Sequence, residues 1–100
     1  MKPEITRFVE SLDRRTFTNN TQRVLHTMLT TPGDGWVSLA RTRVPSAGAR
    51  IRDLRKASFG RINVECKAAS ELGLRGDSRT FLYRVSPRGL TVTQLRSVFG

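Results

Sequence analysis

Apolar residues recur along this chain with two different periods, and the switches between them mark out its elements. Ile5, Phe8, Val9 and Leu12 form a stripe at helical spacing, so Pro3 to about Arg14 is predicted as a first helix. Pro3 suits its first turn and Glu4 complements the dipole there. Arg14 to Asn19 then read as a polar connector with Phe17 as an anchoring aromatic. A second helix, capped by Asn20 or Thr21, places Val24, Leu25, Met28 and Leu29 on one side. It stops in the run Thr30 to Gly35, where Pro32, Gly33 and Gly35 cannot continue it. Gly35, Trp36 and Val37 read as a short extended piece. Ser38 caps a brief helix to about Arg43. After a tight turn, Ser46 is predicted to cap a further helix with its hydroxyl, ending near Lys56. In that helix Ala47, Ile51 and Leu54 share one face, while Ala49, Arg52, Asp53 and Lys56 lie opposite and Arg50 sits on the flank.

The period then changes to two. Arg61 to Lys67 alternates with Ile62, Val64 and Cys66 on one side, and Thr80 to Ser86 with Phe81, Tyr83 and Val85 on one side. These are two strands of a hairpin with core-facing aromatics. The segment between them, rich in Gly, Asp and Ser, is longer than a plain hairpin loop. Pro87 and Gly89 end the second strand, and Leu90 to Phe99 carries Val92, Leu95, Val98 and Phe99 as a last short helix. The order of elements predicts an α+β protein.

Charge changes the picture from fold to partner. The 100 residues hold 18 Lys plus Arg against 8 Asp plus Glu, a net charge of +10 and a pI near 11.6. Most of the cations are arginine, whose planar fork matches phosphates and guanine edges better than ammonium does. The charge is uneven: Arg41 to Lys56 holds six basic residues and one acid, and so half of the net charge. A basic surface of this kind points to nucleic acid, with anionic membranes or a ribosomal setting as the competing partners. Two short helices across a tight turn, the second basic, form a helix-turn-helix pattern.

Several chemistries find no support. Cys66 is the single cysteine, so one chain can build neither an internal disulfide nor a cysteine-based zinc site. Its alternation with Ile62 and Val64 predicts a buried thiol that fits a reducing cytoplasm. His26 has no second ligand at suitable spacing and reads as a surface or packing residue. Trp36 reads as an anchor of the hairpin base against the core. No apolar run approaches the roughly 20 residues of a membrane span, and the N-terminus lacks a signal-peptide core. No nucleophile–base set, carboxylate pair or Gly-rich phosphate loop occurs, so neither enzymatic activity nor a cofactor is expected.

The segment Val44-Pro45-Ser46-Ala47-Gly48-Ala49-Arg50-Ile51-Arg52-Asp53-Leu54-Arg55-Lys56, followed by an alternating strand, resembles the recognition helix of small phage and prophage helix-turn-helix proteins. Ser46, Arg50, Ile51, Leu54, Arg55 and Lys56 carry the resemblance. Ala47 stands where Pro is frequent, and Ala57 to Gly60 is longer than the usual turn. The resemblance implies a winged helix-turn-helix domain, a three-helix core plus β-hairpin wing, over residues 19–86. A helical arm at 1–18 and a short helix or tail at 87–100 extend it.

It also implies that the helix enters the major groove with Ser46, Ala49, Arg50 and Asp53 facing the bases, Arg50 pairing with guanine. Asp53 either accepts from a cytosine amino group or orients Arg50 or Lys56. Gly48 either lets DNA backbone approach or packs against the preceding short helix. Arg41, Arg43, Arg52 and Lys56 are the expected phosphate partners, since phosphate contacts outnumber base contacts. Arg55 is divided between DNA contact and a stem lying on the core. Lys67, Arg75 and Arg79 are the wing candidates, on backbone or minor groove.

The expected function is therefore sequence-specific binding of double-stranded DNA in the cytoplasm, at a bacterial or host-cell nucleoid. The role is that of a phage or prophage transcriptional regulator or recombination directionality factor. The alternative is a winged-helix module for RNA or protein, in a ribosome-associated or assembly role. The stripes of the two arms either pack on each other and complete the core or form a two-fold interface. A homodimer through the terminal helices would bring two recognition helices to one DNA face.

Overall fold

A computed structural model describes residues 2–13, 16–17, 19–31, 35–73, 80–86 and 88–100. The described residues form an α+β fold of four α-helices and one three-stranded antiparallel sheet. The elements are α1 (Pro3–Leu12), α2 (Asn20–Thr30), β1 (Val37–Ser38), α3 (Ala47–Leu54), β2 (Val64–Ala68), β3 (Phe81–Val85) and α4 (Val92–Phe99). Single 3-10 turns at Ala40–Thr42, Ala57–Phe59 and Ala69–Leu72 link them. The strand order is β1-β3-β2, so the two-residue β1 closes the sheet beside the hairpin.

The four α-helices form where their stripes predict and bury most of each stripe, with Phe8 and Val92 only partly buried. Ile5, Val9 and Leu12 of α1 join Val24, Leu25, Met28 and Leu29 of α2 in one core, together with Ala47, Ile51 and Leu54 of α3. The cap of α2 is Asn19, one residue earlier than expected: its side chain accepts from Gln22 N at 2.9 Å. Thr21 is instead buried. At α4, Thr91 and Gln94 form a reciprocal capping box that satisfies two first-turn donors.

The two arms lie in the same core as everything between them. Phe99 stacks at a tilt on Phe8 and Phe17, with centroids 6.3 and 5.6 Å away. Gln22 Nε2 donates to Val98 O at 3.0 Å, holding the end of α4 on α2. His26 faces the Phe17 ring at 4.8 Å and Asp13 at 3.4 Å, the packing role expected of it. Of the two fates open to the terminal stripes, burial within the chain is the one observed, and the exposed apolar faces that suggested a two-fold interface are therefore used up.

The hairpin departs from expectation at its ends. Residues 61–63 lie before the strand and wrap the end of α3, although Asn63 O still accepts from Ser86 N across the hairpin at 2.8 Å. Arg61 takes φ +50° and Ile62 N donates to Leu54 O at 2.8 Å, which turns the Ile62 side chain into the core. Cys66, expected to be buried, is exposed, and Phe81, expected to face the core, is 49% exposed. Alternation sorts side chains onto the correct face of a strand, but it does not say how far the helices extend beneath it. Here Val64, opposite Val85, lies over the core, while Phe81, opposite Ala68, lies at the other end of the ladder. Cys66 is on the edge strand β2.

Candidate nucleic-acid interface

The geometry of α3 is set by the two turns before it. Ser38 Oγ accepts from Arg41 N at 3.3 Å, and Thr42 Oγ1 donates to Leu39 O at 2.6 Å, tightening Ala40–Thr42 into a 3-10 turn rather than the expected brief helix. Arg43 closes it in the left-handed region, φ 53°, with its N–H on Ala40 O at 3.2 Å. Arg41 and Arg43 are both exposed. Ser46 also takes a left-handed conformation, φ 53° and ψ 40°, and its side chain makes no capping bond. The predicted hydroxyl cap is therefore absent: capping needs an extended backbone at that position, and the tight Val44-Pro45 turn delivers a left-handed one. The Ser46 carbonyl still accepts from Ala49 N and Arg50 N at 3.0 and 3.3 Å.

Ala47, Ile51 and Leu54 are 6%, 2% and 0% exposed, so one face of α3 is fixed to the core. Arg52 and Lys56 are exposed, and Ala49 and Arg50 are half-buried. Gly48 faces Leu39, but a Cβ there would sit 3.9 Å from Leu39 Cδ1, an ordinary contact. Packing against the preceding turn therefore does not demand a glycine, contrary to one of the two readings of this position. Arg55 is exposed, and its Nη2 donates to Val64 O at 2.8 Å.

Asp53 lies between two cations. Oδ2 is 3.1 Å from Arg50 Nε and Oδ1 is 3.2 Å from Lys56 Nζ, which it accepts as a hydrogen bond. Of its two expected roles, the orienting one matches these contacts, since both carboxylate oxygens are occupied by neighbours.

Of the hairpin candidates, Lys67 is exposed, while Arg75 and Arg79 lie outside the described residues. Lys67 Nζ sits 6.0 Å from the centroid of the Trp36 ring, and the Arg84 guanidinium 4.7 Å from it. Trp36 therefore does not anchor the hairpin against the core. Val37 pairs with Tyr83, which sets Trp36 across from Arg84 on the opposite face of the sheet. Arg84 Nε also donates to Glu65 Oε2 at 2.6 Å. The sequence reading singled out neither Arg84 nor Glu65; only the strand register brings them together. The Tyr83 phenol is pushed above its ordinary value by burial, by its hydrogen bond with the Cys66 thiol and by the charge of that thiolate, with Arg55 opposing.

A recess of about 110 Å³ at the start of α4 is lined by Asn63, Ser86, Arg88, Gly89, Leu90 and Gln94, which include no carboxylate, thiol or imidazole. Among the described residues no group of three or more His, Cys, Asp or Glu is placed to hold a metal ion, and no helix is long and apolar enough to cross a membrane. No known family, curated protein or solved structure matches the chain.

Proposed function

We propose that this chain is a winged helix-turn-helix protein that binds double-stranded DNA, with α3 in the major groove and the β2–β3 hairpin on backbone or minor groove. The observation that carries the reading is the division of α3 into two sides, Ala47, Ile51 and Leu54 seated in the core and Arg52 outward, with Lys56 just beyond its end and Arg41 and Arg43 before it also exposed. A helix fixed on one side and cationic on the other presents a rigid array to a polyanion, and its small Ala49 and Gly48 leave room for close approach. The antiparallel sheet of order β1-β3-β2, with the β2–β3 hairpin following α3, supports the same reading. The first helix of the motif is here a 3-10 turn. The role is regulatory, in transcription or in site-specific recombination, and involves no catalysis.

Titration of random duplex DNA, duplex RNA and single strands across salt tests the proposal. Duplex DNA binding is expected to be the tightest, with log K falling by about 0.9 per phosphate contacted for each decade of salt. Equal or tighter binding to duplex RNA would favour the RNA-binding alternative.

A further inference from the structure

We infer that Asp53 is a positioning residue that turns Arg50 into a reader of guanine instead of a clamp on phosphate, an inference that rests on the duplex-binding reading above. A carboxylate on the face meant for a polyanion costs affinity, so its place needs a reason. The geometry supplies one. The Asp53 side chain is only 19% exposed and lies between Arg50 Nε and Lys56 Nζ, at 3.1 and 3.2 Å. The pair Arg50–Asp53 is held at a spacing of three residues on one helix, with the helix backbone fixed by Ile51 and Leu54 in the core.

The state of the Arg50 guanidinium then narrows what it can do. A free guanidinium offers two forked edges, one made by Nε with a terminal nitrogen and one by the two terminal nitrogens. In Arg50 the Nε atom is buried, and although it lies close to Asp53 Oδ2 it has no hydrogen-bond partner. The edge that contains Nε is thus closed to a ligand. The side chain as a whole remains 35% exposed, and docking is assigned to the edge of the two terminal nitrogens. That edge matches the O6 and N7 acceptors of guanine. A guanidinium paired with a neighbouring carboxylate at 3.1 Å also has less to gain from swinging to the nearest phosphate, and its charge is partly offset. Selectivity is gained at the expense of non-specific attraction.

The test is competition binding, followed by fluorescence anisotropy, on duplexes that differ by one base pair at each position of a site selected from a random pool. The wild-type chain is expected to prefer guanine at one position by tenfold or more, and Arg50→Ala to erase that preference. Asp53→Asn is nearly isosteric and is expected to cut the preference at the same position to about threefold or less, while tightening binding to random duplex and steepening its salt dependence. The double variant should lose no more selectivity than Arg50→Ala alone. A merely structural Asp53 would weaken all duplexes alike and leave the base preference in place. Duplex binding in which Asp53→Asn keeps the wild-type preference, or in which no guanine position depends on Arg50, overturns this inference alone. Absence of any duplex binding overturns it together with the proposed function.

Discussion

Arg55 Nη2 donates a hydrogen bond of 2.8 Å to the carbonyl of Val64, tying the last turn of α3 to the first residue of β2. A charged donor serving a part-buried carbonyl is a strong tie, and its removal leaves that carbonyl without this partner. Arg55→Met keeps most of the stem and loses the donor. Urea unfolding is expected to show a loss of about 1.5–3 kcal/mol, with Arg55→Ala losing more because the stem goes too. Equal stability of Arg55→Met and wild type would show that the tie contributes nothing.

Among the described glycines, Gly60 is the one whose replacement should hurt most. Its φ is +85°, and an added Cβ would sit 2.9 Å from Gln94 O, a backbone atom of α4 that cannot swing aside. Gly60→Ala combines left-handed strain with overpacking and is expected to cost about 2–4 kcal/mol. Gly73 has φ +71° but open space around it, so Gly73→Ala should cost only about 1–2 kcal/mol. Thermal denaturation of the two variants side by side separates crowding from strain.

Ser46 should respond in the opposite sense. It holds φ 53° without a capping bond, so the side chain adds strain and returns no hydrogen bond to the helix. Ser46→Gly is expected to raise stability by about 1 kcal/mol. A fall in melting temperature would mean that the hydroxyl does cap α3 in solution.

Gly48 couples stability to binding. A methyl group fits beside Leu39, so Gly48→Ala is expected to stabilise α3 by about 0.5–1 kcal/mol. If DNA backbone comes close to this turn, the same methyl group weakens duplex binding. Higher stability with weaker affinity is the expected pair of results. Higher stability with unchanged affinity would place the contact elsewhere on α3.

The raised Tyr83 titration gives a pH dependence of definite sign. The folded chain holds the phenolic proton more tightly than the unfolded chain, whose phenol titrates near 10. This contribution to stability is intact below pH 10 and is lost as pH rises through the unfolded and then the folded value. Urea midpoints above pH 10 should therefore fall for the wild type more steeply than for Tyr83→Phe. Parallel curves would remove Tyr83 as the cause.

How much of this was legible in the sequence depends on the range of the interaction involved. Helical stripes such as Ile5–Val9–Leu12 and Ala47–Ile51–Leu54 are local patterns, and each is buried where it was expected. The i, i+3 spacing of Arg50, Asp53 and Lys56 likewise disclosed the ion pairs. What failed needed information from elsewhere in the chain. Trp36 changes face because Val37 pairs with Tyr83, and a two-residue strand carries no register signal of its own. Cys66 and Phe81 are exposed because the helical layer does not cover them. Ser46 fails as a cap because the preceding turn dictates its backbone. The terminal stripes were visible, but which surface each would meet was not.

The seating of Phe99 against both Phe8 and Phe17 has a practical corollary. Trimming the protein to residues 19–86 would remove Ile5, Val9, Leu12, Leu95, Val98 and Phe99 from the core they share with Val24 and Leu25. Such a fragment would display a greasy flank and clump, even though it retained every cation of α3. Anyone grafting this helix onto another scaffold must therefore transplant the head and tail with it.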